Sequence, residues 1–211
     1  MEEIVQGSPE WFAARLGKVT ASRVADVVAR TKTGYGASRA NYMAELICER
    51  LTGVAAERFS NAAMQWGTER EPEARAAYVF MRDLDVTEVG FVPHPSIAMT
   101  GASPDGLVGA DGMVEIKCPN TATHLETLEV QAVPAKYVTQ MLWQMACTGR
   151  AWCDFVSFDP RLPTHMQLFV KRVFRDDARV AELEAEVRDF LVELDAKIAR
   201  LDAIYGQKAA A

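Results

Sequence analysis

The feature that most constrains this chain is a pair of charged residues inside a short apolar β-strand. Two apolar runs, Leu107-Val108 and Met113-Val114-Glu115-Ile116-Lys117, flank the turn residues Ala110-Asp111-Gly112, a pattern typical of a β-hairpin. Glu115 and Lys117 are two residues apart, so their side chains share one face of the strand. Burying these charges is costly unless they are paired, and we therefore expect the fold to hold them together for a chemical role.

The register of this hairpin decides whether a third charged residue, Asp105, joins that face. A two-residue turn at Asp111-Gly112 places Asp105 opposite Cys118, with its side chain on the other face. A three-residue loop at Ala110-Asp111-Gly112, with Gly112 at positive φ, places Asp105 opposite Lys117. We favour the three-residue loop because it alone gathers two carboxylates and an ammonium on one surface.

This set of groups is suited to metal-assisted chemistry on phosphates. Two carboxylates and a backbone carbonyl are ligands that Mg²⁺ accepts, because the ion keeps several of its waters and needs few protein ligands. A lysine beside them can help to orient and deprotonate a water that attacks phosphorus. The alternative is an exposed hairpin in which Glu115 and Lys117 form a weak, solvated pair.

Several further segments resemble one family in the same order along the chain. The Asp-Glu-x-Lys spacing is similar to the signature of the PD-(D/E)xK nuclease superfamily, and its flanks resemble the phage lambda exonuclease, or viral recombinase, branch. The resemblance covers about residues 8–175. The matching segments are Arg15-Leu16-Gly17-Lys18-Val19-Thr20-Ala21-Ser22, Trp66-Gly67-Thr68-Glu69-Arg70-Glu71, Ser103-Pro104-Asp105-Gly106-Leu107, Glu115-Ile116-Lys117-Cys118-Pro119, Gln140 and Asp159-Pro160-Arg161.

The resemblance implies a catalytic set on the hairpin and two neighbours outside it. The set is Asp105, Glu115 and Lys117, with the carbonyl of Ile116 as a further metal ligand. Glu71 matches a glutamate of the family and is expected as a further metal ligand at a helix break, from which it would point into a cleft; the alternative is a carboxylate on a helix surface. Gln140 matches an active-site glutamine, and the alternative is a polar residue on a helix face.

The resemblance also implies a pocket for the 5′-terminal phosphate of DNA, formed by Arg15, Ser22 and Ser103. A guanidinium and two hydroxyls suit phosphate oxygens, and Ser22 lies at a predicted helix start, which favours anion binding. The alternative role for Ser22 is to cap that helix. Met64 matches an apolar wedge between the paired strands, although it could equally be a core methionine. The family has an additional acid shortly before Ser-Pro-Asp that this chain lacks, and we do not assign His94 in its place.

The activity that the resemblance implies is digestion of double-stranded DNA from a 5′ end. The enzyme would use Mg²⁺, with Mn²⁺ able to substitute, release mononucleotides and leave a 3′ single-stranded tail for recombination. A ring-shaped homotrimer and a single-strand annealing protein as partner are implied as well. Two other readings stay open: an endonuclease or junction-cleaving nuclease on the same core, and a noncatalytic DNA-binding module.

Composition agrees with one domain spanning residues 1–211. Hydrophobic residues make up 49% of the chain, enough for a substantial core, and no apolar run approaches the roughly 20 residues that span a bilayer. Four cysteines without a C-x-x-C pair favour a reducing cytosol, which with the resemblance implies a bacterial host cytosol and a phage or prophage origin.

The net charge is −6, yet residues 11–40 carry six bases against one acid and residues 176–211 carry nine acids against five bases. A basic DNA-facing surface and an acidic far side are one interpretation, and ordinary solvated helices are the other.

The predicted elements make an α+β fold with a restriction-endonuclease-like core, in which helices flank a mixed central β-sheet. We expect a flexible loop from Lys32 to Ala37. The expected strands are Val86 to Val92, the hairpin, Trp152 to Phe158 and Met166 to Phe174. The expected helices follow the N-cap residues Ser8 and Thr20, run from Ser38 to Leu51 and from Ala62 to Asp83 with interruptions at Gly67 and Pro72, and begin at Thr123, at Pro134 and near Asp176.

The last of these helices carries an apolar seam with intervals of three and four residues. Its members are Val180, Leu183, Val187, Phe190, Leu194, Ile198, Leu201 and Tyr205. Such a seam can close the core of its own domain or bind another chain. We favour packing within the domain.

Overall fold

The computed structural model describes residues 4–56 and 62–206, and among them seven α-helices surround two sheets and a small hairpin. The helices are α1 (Pro9–Arg15), α2 (Val24–Val27), α3 (Ala37–Thr52), α4 (Ala62–Arg82), α5 (Thr121–Val130), α6 (Ala135–Thr148) and α7 (Asp177–Tyr205). The strands are β1 (Val19–Thr20), β2 (Arg30–Thr31), β3 (Gly34–Tyr35), β4 (Val86–Thr87), β5 (Val92–Pro93), β6 (Thr100–Ala102), β7 (Gly106–Val108), β8 (Gly112–Lys117), β9 (Trp152–Phe158) and β10 (Leu168–Phe174). The α+β prediction is confirmed.

The central sheet has five strands in the order β10-β9-β8-β7-β4. Strands β8 and β9 are parallel and the other neighbours are antiparallel, so the predicted mixed sheet is present. One core cluster contains Met113 and Phe155 together with residues of α3, α6 and α7, and the second contains Val114 and Val156 together with Ala74 and Tyr78 of α4. Met113 and Val114 are neighbours on β8, so their side chains point to opposite faces of the sheet. Helices therefore cover both faces at this strand.

The predicted hairpin is present, but its loop lies one residue earlier than predicted. Val108 pairs with Gly112, so the three-residue loop is 109–111, and Gly109 rather than Gly112 has a positive φ, of 53°. Gly112 instead packs against β9, where a Cβ atom would lie 2.0 Å from the indole of Trp152. The glycine is therefore required for close strand packing.

The shifted loop changes the partner of Asp105 and keeps its face. Gly106 pairs with Val114, so one further step along the hairpin sets Asp105 opposite Glu115 rather than opposite Lys117. Glu115 and Lys117 lie on the same face of β8, and Asp105 joins them there. The predicted gathering on one surface is correct, although the predicted cross-strand partner is wrong.

Helix α4 is continuous, which corrects the predicted interruptions at Gly67 and Pro72. Pro72 removes one backbone hydrogen bond inside the helix. Ala74 and Tyr78, both fully buried against the sheet, hold the following turns in place. Glu71 therefore lies on a regular helix and not at a break. Packing against the sheet here outweighs the local preference of proline.

Three other expectations fail locally. The predicted loop from Lys32 to Ala37 contains one strand of the β2–β3 hairpin, in which Arg30 pairs with Tyr35. The predicted strand from Val86 to Val92 divides, because β4 pairs with β7 while β5 pairs with β6 in a different sheet. Helix α5 begins at Thr121, and the side chain of Asn120, not Thr123, caps it.

At the N-terminus, Ser8 caps α1 as predicted, and its hydroxyl accepts a hydrogen bond from the backbone of Trp11 at 3.2 Å. Thr20 precedes a three-residue 3-10 helix, Ala21–Arg23, without a side-chain capping bond. Strand β1 pairs in parallel with β6, and this pairing brings the segment of Thr20 next to Gly101. The chain before the hairpin thus lies beside the segment that contains Ser22.

The seam of α7 packs against its own domain, as predicted, along most of its length. Val180, Leu183, Val187, Phe190 and Leu194 are at most 4% exposed. The helix contacts α2, α3 and α6. The seam ends within the helix, because Leu201 and Tyr205 are 36% and 62% exposed. The buried part of α7 is therefore a component of the domain core.

The acidic face of α7 lies next to the basic N-terminal segment, so the interpretation of a basic surface with an acidic far side is wrong. Arg30 pairs with Glu186, and Arg39 pairs with Glu193 at 2.6 Å. Arg23 likewise contacts Glu45 of α3 at 2.9 Å. These arginines are occupied by contacts within the protein.

None of the helices in the described part of the chain is long and apolar enough to cross a membrane.

The packing of α7 predicts a large difference between two of its positions. Phe190 is fully buried and stacks on Tyr42 with ring centroids 5.9 Å apart, whereas Val192 is 70% exposed. We expect Phe190→Ala to lower the free energy of unfolding by about 3–5 kcal/mol because it opens a cavity in the core. Val192→Ala is the control and should change it by less than about 0.5 kcal/mol. Equal denaturant midpoints for the two variants would contradict this role of α7.

Candidate active site

The centre of the site is the carboxylate of Glu115, which is fully buried on β8. Its Oε1 atom contacts the ammonium of Lys117 and accepts a hydrogen bond from Nε2 of Gln140 at 2.6 Å. Its Oε2 atom accepts from Nε2 of Gln144, also at 2.6 Å. Three donors therefore fix the position of one buried acid.

Gln144 is the residue that the sequence analysis missed. It lies one helical turn after Gln140 on α6 and is fully buried among apolar neighbours. Residues four apart share one face of a helix, so both glutamines reach the same carboxylate. A buried glutamine in the apolar segment Met141-Leu142-Trp143-Gln144-Met145 was the available signal.

Asp105 precedes β7 and is tied to the other strand of the hairpin. Its Oδ2 atom accepts a hydrogen bond of 2.6 Å from the backbone N–H of Ile116. Burial raises the pKa of Asp105 well above its ordinary value, and the charge of Glu115 raises it further. Lys117 and the Ile116 N–H offset part of this rise. Asp105 and Glu115 thus repel each other across the hairpin.

Lys117 carries the balancing charge. Burial lowers the pKa of Lys117, but the carboxylates of Glu115 and Asp105 raise it by more, and the net pKa lies above the usual value. The ammonium also lies 5.4 Å from the centre of the Tyr137 ring. In this arrangement Lys117 is a cation that can donate hydrogen bonds.

Glu71 lies at the border of the cluster, on the face of the sheet that α4 covers. Arg75, one turn later, donates to it at 2.7 Å and also to the backbone carbonyl of Asp105 at 3.3 Å. Burial raises the pKa of Glu71, and the charge of Glu115 raises it further. Arg75 and Lys117 lower it, but the net pKa lies above the usual value. Glu71 is therefore close enough to interact electrostatically with the hairpin charges, and Arg75, which the sequence analysis did not single out, holds its carboxylate.

The donor set fits an ion that needs few protein ligands, such as Mg²⁺. Among residues 4–56 and 62–206, no three Asp, Glu, His or Cys side chains group as ligands of one ion, so a closed metal cage is excluded there. The carboxylate of Asp105 makes one hydrogen bond and that of Glu115 three contacts, while each carboxylate offers about four lone-pair positions. A cation beside them would also relieve their mutual repulsion.

Two of the three residues predicted to bind the 5′-phosphate are in direct contact. Nη1 of Arg15 donates to the hydroxyl of Ser103 at 3.2 Å, and the indole N–H of Trp11 donates to the same hydroxyl at 2.9 Å. The guanidinium of Arg15 also lies 4.0 Å from the ring centre of Trp11. Ser103 is two residues before Asp105, so this pair adjoins the charged cluster.

The third residue, Ser22, is exposed, and its hydroxyl lies 3.4 Å from that of Thr20. Thr20 pairs with Gly101, which places Ser22 and Ser103 two residues beyond the same strand pair. Met64 lies near the start of α4, and its side chain is outside the part of the chain that the structure describes.

Solved structures of known proteins resemble this fold along nearly its full length. The structure of LHK-Exo in complex with dAMP is 60% identical in sequence, covers 96% of this chain and 98% of that chain, and has a TM-score of 0.89. A second structure of this alkaline exonuclease, from Laribacter hongkongensis, has the same identity and coverage and a TM-score of 0.87. A phage-related exonuclease from Haemophilus somnus 129PT is 17% identical, with a TM-score of 0.72 over 87% of this chain and 96% of that chain, and shows the same fold.

No protein with curated annotation is significantly similar in sequence to this chain. The family model described as a YqaJ-like viral recombinase domain matches residues 10–151, a range that contains all but the first residue of α1, the Arg15–Ser103 contact and the whole Glu115 cluster. The predicted resemblance is therefore confirmed, and the chain belongs to the YqaJ-like viral recombinase family, the family of lambda-type exonucleases.

Proposed function

We propose that this protein is a Mg²⁺-dependent exonuclease that digests one strand of double-stranded DNA from its 5′ end, releases mononucleotides and leaves a 3′ single-stranded tail. The observation that carries the proposal is the convergence of Asp105, Glu115 and Lys117 on one hairpin face. The family and the 60% identity to an alkaline exonuclease make the chain a nuclease that acts on DNA. The relative bound to dAMP, a mononucleotide, supports mononucleotides as products.

Each residue of the cluster has a separate task in hydrolysis of the phosphodiester. Asp105, Glu115 and the carbonyl of Ile116 would hold Mg²⁺, and Mn²⁺ could take the place of this ion. Glu71, which pairs with Arg75 in this structure, would be a further ligand after exchange of that partner. When bound, the ion supplies Lewis-acid stabilisation of the charge that develops on the phosphate. Lys117 donates a hydrogen bond that orients the attacking water, and its positive charge stabilises the transition state. Gln140 and Gln144 hold Glu115 in position.

The direction of digestion rests on Arg15 and Ser103. A terminal phosphate carries more negative charge than an internal phosphodiester, and a guanidinium beside a hydroxyl can distinguish the two. Ser103 is two residues before Asp105 and holds Arg15 beside the hairpin, so a 5′-phosphate bound by this pair would place the first internal phosphodiester near Lys117. Ser22, two residues after the end of β1, follows the strand that pairs with β6 and would contribute a further donor.

Assembly, partner and cellular place belong to the same proposal. Family membership supports a homotrimeric ring around DNA, a single-strand annealing protein that receives the 3′ tail, and action in the cytosol of a bacterial host. Large apolar side chains such as Phe80, 91% exposed, and Phe174, 67% exposed, are available for contacts between copies. Sedimentation of the purified chain at several concentrations would measure its oligomeric state.

End-labelled duplexes test the activity directly. A duplex labelled at either the 5′ or the 3′ end of one strand is incubated with Mg²⁺ or with EDTA, and the products are separated by length. The proposal expects immediate release of the 5′ label as a mononucleotide, gradual shortening of the 3′-labelled strand, and no reaction in EDTA. Internal fragments of defined length would instead identify an endonuclease.

Lys117 should be required for turnover. We expect Lys117→Ala to lower kcat by at least about 100-fold, because it removes the cation beside Glu115 and the donor to the attacking water. Lys136→Ala on α6 is the control, because Lys136 also lies near Tyr137 but makes no contact with Glu115. Near-normal turnover of Lys117→Ala in Mg²⁺ would overturn the mechanism.

Gln144 should act on kcat through Glu115. Gln144→Leu keeps a side chain of similar size but removes the hydrogen bond to Oε2, so we expect kcat to fall about tenfold or more with KM close to that of the parent. Thr139→Ala, on the same helix, removes only a hydroxyl bound to the carbonyl of Ala135 and is the control. An unchanged kcat would show that Glu115 does not need this donor.

Arg15 should act on the 5′ end. Arg15→Ala is expected to slow digestion of 5′-phosphorylated duplexes by about tenfold or more, and that of 5′-hydroxyl duplexes much less, because only the former lose a charged hydrogen bond. Initial rates on the two substrates measure the difference. Equal slowing would assign Arg15 to general backbone binding.

A further inference from the structure

The segment Asp159-Pro160-Arg161 follows β9 and has no part in the proposed mechanism, yet it is built around a buried ion pair. Asp159 is fully buried, and its carboxylate accepts hydrogen bonds from Nε and Nη2 of Arg161 at 2.7 and 2.9 Å and from the Arg161 backbone N–H at 3.0 Å. Burial raises the pKa of Asp159, but the bonds from Arg161 and Thr121 outweigh it, and the net pKa falls to about 2. The acid therefore fixes the arginine in one orientation.

The guanidinium of Arg161 is held from two more sides. Nη2 also donates to the carbonyl of Pro119 at 3.3 Å, and the group lies 4.4 Å from the ring centre of Trp66. Nη1 has no hydrogen-bond partner within residues 4–56 and 62–206, and the side chain is 44% exposed. One donor edge of a fixed cation is thus presented to solvent.

A second arginine lies against the same indole ring. Arg70 is 4.9 Å from the ring centre of Trp66 and pairs with Glu73 at 3.3 Å on the helix surface, a weak type of ion pair. The Nε atom of Arg70 and the indole N–H of Trp66 are buried and have no acceptor in the described part of the chain, so an anion would approach the outer edges of the two guanidinium groups. The side chains of Arg70 and Arg161 are 37% and 44% exposed, and two such cations beside one ring suit an anion with several oxygens.

The position of this cluster relates it to the active site. Pro119 is two residues after Lys117, which is about 7 Å of extended chain. Arg161 therefore lies on the β9 side of the catalytic residues, while Arg15 and Ser103 lie on the β7 side. A DNA strand that passes from one side to the other meets a cation at each.

We propose that Arg70, Trp66 and Arg161 form a binding site for a phosphodiester of the DNA backbone, separate from the pocket for the 5′ end. The site contributes affinity for the duplex and does not distinguish between types of end. It rests on the proposed function, because the ligand is the DNA on which the nuclease acts. The competing role for Arg161 is neutralisation of Asp159 alone.

Equilibrium binding in EDTA separates these roles without turnover. The affinity of the full chain for a fluorescent duplex is measured over a series of salt concentrations, with a 5′-phosphate and with a 5′-hydroxyl. Arg70→Gln should weaken binding about tenfold at low salt and lower the slope of log K against log salt by about one, equally for both ends. Arg179→Gln is the matched control, because Arg179 is also a helix arginine paired with an acid three residues later, Glu182.

Arg161→Lys tests the second cation and preserves a charge for Asp159. A lysine lacks the fork that contacts Asp159, Pro119 and a phosphate together, so we expect binding to weaken about fivefold with the melting temperature close to that of the parent. If Arg161→Lys melts at a much lower temperature than the parent, the binding affinity and salt slope of Arg70→Gln alone decide whether the site exists. Affinities and salt slopes of Arg70→Gln equal to those of Arg179→Gln would overturn the proposal.

The proposed function can fail independently of this site. The parent protein is assayed in parallel on the end-labelled duplexes in Mg²⁺. If Arg70→Gln weakens binding and lowers the salt slope as expected but the parent does not digest from 5′ ends, the proposed function is refuted and the phosphodiester site is supported. Normal digestion with no effect of Arg70→Gln on binding would refute the site alone.

Discussion

The structure depends on one buried carboxylate and the donors that surround it. Glu115 is fully buried, and burial of a carboxylate without hydrogen-bond partners would be strongly unfavourable. Lys117, Gln140 and Gln144 must therefore lie within contact of this carboxylate, as they do. The two glutamines come from one face of α6, which requires this helix to pack directly on β8. Met141, Trp143 and Met145 supply that packing within the main core. The apolar core thus fixes the polar site, and the site in turn explains why polar residues are present in the core.

The alternation of β8 divides the site between the two faces of the sheet. Glu115 and Lys117 face α6, whereas Val114 and Ile116 face α4, and Glu71 approaches the cluster from that second side. Arg75 bridges the faces, because it binds the carboxylate of Glu71 and the backbone carbonyl of Asp105. A metal between these acids would compete with Arg75 for Glu71. The position of α4 relative to the hairpin therefore determines whether Glu71 acts as a ligand or as the partner of an arginine.

Local patterns predicted most of the elements and the charged hairpin, the family resemblance supplied the other candidate site residues, and long-range packing decided the rest. The period-two pattern and the Glu-x-Lys spacing were sufficient for the hairpin and for the shared face of Glu115 and Lys117, whereas the place of Asp105 on that face followed from the preference for a three-residue loop. The loop position was not predictable, because the close contact between Gly112 and Trp152 joins strands 40 residues apart in sequence. Pro72 suggested a helix break that burial of Tyr78 overrides. Gln144 was missed because a single glutamine in an apolar helix shows its partner only when the helix is docked.

Charge pairing explains how an acidic protein can present cations to DNA. Arg30 and Arg39 of the basic N-terminal segment are bound by acids of α7, so a count of charges along the sequence overstates what a ligand would meet. Arg161 differs, because the acid that binds it is buried beneath it and the free edge of the guanidinium remains outside. An arginine that is paired with an exposed acid must give up that ion pair to bind phosphate. An arginine that is paired with a buried acid keeps the pair, because its other donor edge faces solvent and can bind the phosphate. Affinity for DNA in a chain of net charge −6 therefore depends on which acids are buried, and not on the sum of the charges.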